Sequence, residues 1–257
     1  MTNANNSNQC PENSYYNIEI TVVQCLWIGP KLGRMEKLSV FSFLKNSHGV
    51  HLYAYSEIEG IPEGVIIMDA NTIIPESKIF RYKDSNSYAG FANLFRYKLL
   101  FEKGGLWVDL DTVCLKPLVT DEEYIFGSER TKFIDFPLQV NNCLIKTPAK
   151  CGIMEFCYKT ALSKDPNELK WGVTGPVLLT EAVIDFDLQK YIAAPHVFSP
   201  VDWWSVRDFI SKPLSAIVNE YTYSIHLYNE SWNKQGINKE NIWDKNCSYE
   251  ELVKIFS

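Results

Sequence analysis

A chain of 257 residues, 46% hydrophobic and 22% charged, has the length and balance to bury one sizeable core. Its formal net charge of −6 excludes the broad basic surface that binding to duplex nucleic acid rewards. The cysteine count is odd, seven, with no CxxC pair, which argues against a zinc knuckle or a closed disulfide framework and for a reducing compartment.

Residues 1–17, MTNANNSNQCPENSYYN, are polar and rich in Asn, without the basic start and apolar middle of a signal peptide. They read as a disordered lead-in to a single domain over 18–257. Ile18 to Gly29 is an apolar, β-branched run stopped by Gly29 and Pro30, hence a buried strand. Met35 to Asn46 has helical spacing. Val50 to Tyr55 alternates as a strand, and Val65 to Asp69 is a short one. A β-α-β opening of this kind predicts an α/β fold with a Rossmann-like, mostly parallel sheet flanked by helices. Such sheets bind ligands at the carboxyl ends of their strands. Ala92 to Lys103 predicts a helix with Gly104 and Gly105 as its stop. LWVDLDTVCL, residues 106–115, reads as one strand interrupted by Asp109, Asp111 and Thr112. Short strands follow at 124–128 and 142–145, and a helix at 151–162. WGVTGP at 171–176 is a turn entering a further helix, and YSIHLYNESWN at 223–233 closes the pattern with a late strand. No apolar run reaches the length of a membrane span, and no internal repeat or linker divides the chain.

Asp109-Leu110-Asp111 carries the strongest chemical signal. On a strand the two carboxylates face the same side, about 6–7 Å apart. Burying both is costly unless a cation or hydrogen-bond donors compensate, and carboxylate oxygens suit Mg²⁺ or Mn²⁺. The plainer alternative puts both just past a strand end, facing water. Asn93 and Arg96 share a helix face, and the glycine turn brings Arg96 near the aspartates, as a phosphate or carboxylate ligand or as a surface ion pair. Trp27, at the end of the first strand, either stacks on a base or fills the core. His226, before Asn229, Glu230, Ser231 and Trp232, is a candidate third metal ligand or a structural histidine. His48, His51 and His196 have no supporting pattern.

LWIG at 26–29 and FANLFRYKLLFEKGGLWVDLDTVCLKPL at 91–118 resemble the sugar-binding DXD glycosyltransferases. The nearest set is glycosyltransferase family 32, with capsular-polysaccharide and mannosyltransferase-like members. The motif order is also similar to that of the glucosylating clostridial toxins. The resemblance implies a GT-A fold, a divalent cation, Mn²⁺ or Mg²⁺, and a nucleotide-sugar donor, foremost a UDP-sugar. It implies that Trp27 and the adjoining Ile28 meet the base and that Arg96 contacts the donor. Asp109 would meet ribose and metal beside Leu110, with Asp111 the principal metal ligand and His226 a further one. Ser231 and Trp232 would close over the diphosphate. Gln139, Asn141 and Asn142 fall where relatives line the sugar site. In one departure, Asn93 occupies a helix position that is acidic in the family. The implied reaction is hexose transfer with retention to a glycan, lipid-linked or protein acceptor. With neither a nucleic acid partner nor a spanning segment, a cytoplasmic enzyme, at most peripheral at a membrane, is expected.

Two rival readings stand beside it. LWVDLDTV is also similar to the nucleophile motif of haloacid-dehalogenase-type phosphohydrolases, with Asp109 as nucleophile and Asp111 as acid. That motif normally follows the first strand, and no late GDxxxD-like motif accompanies it here. The other rival is a sugar- or metal-binding scaffold without turnover.

Overall fold

In the computed structural model, which describes residues 21–83, 85–132 and 138–257, the opening apolar run forms β1 (Val22–Trp27). The lead-in expected at 1–17 lies outside the described residues. β1 is central. It pairs in parallel with β2 (Gly49–Ala54) on one side and β4 (Gly105–Val108) on the other. β3 (Val65–Asp69) extends the sheet beyond β2, also in parallel. The connection from β1 to β2 is α1 (Arg34–Lys45), whose Glu36 carboxylate accepts from the Gly33 N–H at 3.0 Å and satisfies one free donor of the first turn. α2 (Ala89–Lys103) leads into β4.

The other half is antiparallel. β5 (Thr112–Cys114) leaves the main sheet. β6 (Ile125–Arg130) and β7 (Leu138–Thr147) return as a pair on its far edge, giving the order β3-β2-β1-β4-β7-β6. Helices α3 (Gly152–Leu162), α4 (Leu178–Asp185) and the short α5 (Pro195–Phe198) follow. β8 (Ser224–His226) pairs antiparallel with β5, and α6 (Asn229–Lys234) and α7 (Ser248–Phe256) end the chain. No helix of the described residues is long and apolar enough to cross a membrane. The six cysteines in the described residues are buried and unpaired.

The alternation of β4 divides the core. Trp107 packs under α2 with Phe91, Phe95, Phe126 and Ile145, while Leu106 and Val108 join Val23, Phe43 and Leu52 on the α1 side. A third cluster, with Phe209, Trp232 and Tyr249, lies around α7. The single strand expected over 106–115 is two. β4 stops at Val108, Thr112 N–H turns back to the Asp109 carbonyl at 3.0 Å, and β5 pairs in another sheet. The break takes both carboxylates out of a ladder in which their desolvation would go unmet.

Two local features predict measurable behaviour. Gly104 has φ 65° and ψ −162°, a region closed to residues with a side chain, and a Cβ there would stand 2.4 Å from the Ala149 nitrogen. Gly104→Ala is expected to lower unfolding free energy by about 3 kcal/mol or more in urea titration. Arg34, opening α1, grips both oxygens of Glu250 in α7, at 2.7 and 2.6 Å. Hydrogen bonds from Arg34, then from Trp243 N–H, outweigh burial and hold the Glu250 carboxyl below its ordinary value. A depressed carboxyl stabilises the fold above its unfolded pKa, near 4.5, and loses that contribution as pH falls through its folded value. The stability deficit of Arg34→Met should therefore be full at neutral pH and shrink below about pH 4.5, read from melts across pH.

Candidate functional site

The turn that ends β4 is clamped from two directions. Asp109 N–H donates to the Cys143 carbonyl of β7 at 2.8 Å, and the Asp111 carbonyl accepts from Leu227 N–H, just past β8, at 2.8 Å. Between them Leu110 turns into the α1-side core. Both carboxylates therefore lie just past the strand end, as the plainer sequence reading had it, yet mostly out of water, their side chains 25% and 16% exposed.

Each carboxylate has its own partners. Arg96 of α2 meets Asp109 with two nitrogens, Nη2 to Oδ1 at 3.1 Å and Nη1 to Oδ2 at 3.3 Å, and Trp107 Nε1 donates to Oδ1 at 2.8 Å. The guanidinium is buried. It lies 5.0 Å from the Trp107 ring centroid, and two further N–H groups go to the Ala92 and Asn142 carbonyls. Asp111 Oδ2 accepts from Asn229 N–H at 2.8 Å, and Oδ1 lies 3.3 Å from His226 Nε2. Asp109, Asp111 and His226 thus offer ligand atoms all within 4.8 Å of one another, a set that could hold a metal ion. Burial and the Asp111 charge push the Asp109 carboxyl up against the opposing pull of Arg96. Burial also acts on Asp111, but His226 and the Asn229 N–H outweigh it and hold that carboxyl below its ordinary value. Burial disfavours charge on His226, and the Cys143 sulfur and the Asp111 carboxylate override it, so its pKa rises.

The remaining predicted residues fall into separate groups. Trp27 and Ile28 sit half-buried at the carboxyl end of β1. Asn93 and Asn142 come together: Asn142 Nδ2 donates to the Tyr97 hydroxyl at 2.7 Å and reaches Asn93 Oδ1 at 3.4 Å. The turn at 171–176 packs over them, with Tyr97 donating to the Thr174 carbonyl at 3.0 Å and Gly175 seated against Asn93. Gln139 is not part of this group. It donates to Glu129 Oε1 at 2.6 Å, and Asn141 donates to Glu129 Oε2 at 3.1 Å. Asn141 also lies 3.4 Å from His226 Nδ1. Ser231 is half-buried in α6, whereas the Trp232 ring is wholly buried between Phe209 and Tyr249. Tyr97, Ser199, Tyr228 and the Asn229 amide carried no signal in the sequence, because apolar runs and short loops mask single polar contacts.

Among the described residues, several buried polar atoms of these groups have no hydrogen-bond partner: Trp27 Nε1, Asn142 Oδ1, Asn229 Oδ1 and Trp232 Nε1. Each such atom costs about 1–3 kcal/mol, a cost removed when water or a ligand completes the bond.

Residues 34–131 match the family described as "Glycosyltransferase sugar-binding region containing DXD motif", and Asp109–Asp111 lies within the matched stretch. No curated protein sequence matches the chain. Among solved structures, the chain is similar to "PaToxG Glycosyltransferase", with TM-score 0.47 and 16% identity over 92% of this chain and 87% of that one. It is also similar to the apo-form glycosyltransferase GlyE in Streptococcus pneumoniae TIGR4, with TM-score 0.47 and 10% identity over 91% and 60%. An active-site mutant of LgtC gives TM-score 0.46 and 10% identity over 80% and 86%.

Removing Arg96 strands a mostly buried carboxylate. Arg96→Met is expected to cost about 2–4 kcal/mol, and at least 1 kcal/mol less when Asp109 is already Asn. Urea unfolding of the four proteins of this cycle checks it.

Proposed function

We propose that this chain is a metal-dependent GT-A glycosyltransferase that moves a hexose, with retention, from a nucleotide-diphosphate sugar, foremost a UDP-sugar, to an acceptor hydroxyl. The observation that carries the reading is the convergence of Asp109, Asp111 and His226 beside the buried Arg96. The family match over residues 34–131 supports it.

The donor set fits the implied cation. Two carboxylates and an imidazole whose ligand atoms lie within 4.8 Å of one another suit Mn²⁺, and Mg²⁺ after it. When bound, the cation offsets charge on the donor diphosphate. The chain's own groups then have separable tasks. Asn229 N–H aims the Asp111 carboxylate, and Arg96 with Trp107 Nε1 fixes that of Asp109. Trp27 and Ile28 receive the base at the β1 end, and Leu110, its side chain committed to the core, offers only backbone. The open Asn142 Oδ1, next to Asn93, accepts from a hexose hydroxyl. Ser231, half-buried in α6, would meet the leaving diphosphate, with the Trp232 ring packed in the core behind it, and a preorganised donor of this kind stabilises charge that develops as the bond breaks. The buried, unpaired cysteines fit a reducing compartment, and we place the enzyme in the cytoplasm.

The phosphohydrolase reading fares worse. The motif it requires normally follows the first strand, whereas Asp109 follows β4, with three strands and two α-helices before it.

Nucleotide release should be measured from UDP-glucose, UDP-galactose, UDP-N-acetylhexosamines and GDP-mannose, with Mn²⁺ and with chelator. One donor is expected to be hydrolysed in a metal-dependent way, with a loss on the order of 100-fold in Asp111→Asn. Absence of release and of any thermal shift across the panel would sink the transferase reading. An inverted product anomer would sink retention alone.

A further inference from the structure

A lysine outside the metal group stands close to it. Lys239 follows α6, and the backbone around it is held on every side. Ile237 N–H donates to the Trp232 carbonyl at 2.9 Å, and the Tyr249 hydroxyl donates to the Lys239 carbonyl at 3.1 Å. The next residue, Glu240, accepts from Arg34 N–H with both oxygens. The Lys239 ammonium meets Oε1 of Glu36 in α1, a carboxylate whose side chain is 3% exposed and whose Oε2 is taken by Gly33 N–H. An ammonium has three N–H donors. Glu36 takes one, and no other acceptor among the described residues takes the rest. The lysine side chain keeps 20% of its surface in solvent.

The sheet sets where this charge lies. β1 and β4 are neighbouring parallel strands with Gln24 opposite Trp107, so Trp27 and the turn from Asp109 to Asp111 leave the same end side by side. The Lys239 ammonium is 5.9 Å from the centroid of the Trp27 ring, at the outer limit of a cation–π contact. It also acts on the metal group. Burial works against charge on Asp111, and after His226 and the Asn229 N–H the Lys239 ammonium is the next group holding that carboxyl below its ordinary value. A positive charge with open donors thus borders both the tryptophan at the β1 end and the carboxylates after β4. Arg96, by contrast, is committed to Asp109 and to two carbonyls.

We infer that Lys239 is a donor-binding residue, its ammonium giving an N–H to the diphosphate of the nucleotide sugar. The inference rests on the transferase reading, in which the base meets Trp27 and the metal holds the diphosphate, so the phosphates pass the ammonium. Asp109 and Asp111 already match the charge of a divalent cation, and the charge of the diphosphate itself is left for donors such as this one.

Calorimetric binding of UDP and of GDP to the full chain with Mg²⁺ tests it, in the wild type, Lys239→Gln, Glu36→Gln and the double variant, with melts to report folding. The Glu36 variant separates a ligand-binding lysine from a structural ion pair, because it breaks the pair and keeps the ammonium. Affinity for the nucleotide that the wild type binds is expected to fall on the order of tenfold or more in Lys239→Gln and in the double variant. The loss in Glu36→Gln is expected to be smaller. If Lys239→Gln strands Glu36 and fails to fold, the double variant, which leaves no buried carboxylate unpaired, decides. Undiminished affinity in the folded lysine variants, or a loss in Glu36→Gln as large as that in Lys239→Gln, overturns the inference and leaves the transferase reading standing. A wild type that binds neither nucleotide overturns both.

Discussion

Two carboxylates separated by one residue repel each other and lose solvation together, and how this chain meets that cost organises the structure around it. The expense is met separately for each. Asp109 receives a guanidinium from α2 and an indole N–H from β4; Asp111 receives a backbone N–H from α6 and an imidazole from β8. Burial still lifts the Asp109 carboxyl, so compensation by protein alone is incomplete. An incompletely compensated acidic pair next to an imidazole invites a divalent cation.

This arrangement makes demands far from the aspartates. Arg96 can reach Asp109 only if α2 and β4 meet through a very tight turn, and Gly104 provides it in a conformation open to no other residue. The Trp107 ring must lie on the α2 face, which the alternation of β4 ensures. β4 must then stop at Val108, since a continued strand would carry Asp111 into the sheet and away from His226. The small β5–β8 sheet holds the chain on its new course.

Stability is given up locally near the metal group, where Tyr228 holds a positive φ that costs free energy for an aromatic residue. The ligand set itself follows the carboxyl end of β4, where open α/β sheets place their ligands.

The β-α-β opening, α2 with its glycine stop, and the pairing of Arg96 with the aspartates were legible in the chain itself, because periodicity, capping and tight turns depend on residues close in sequence. So was the candidacy of His226, carried by its motif context. The break between β4 and β5 was not, since an apolar run looks the same whether it continues in one ladder or changes sheets. Nor was the separation of Gln139 from Asn142, the burial of Trp232, or the cluster of Glu129, Asn141, Ser199 and Tyr228. The linear sequence thus determined which elements form and which residues carry charge. Only packing decided which of those charges meet, because contacts between β6, β7, α6 and the turn after β4 join segments up to 118 residues apart, and no local pattern encodes them.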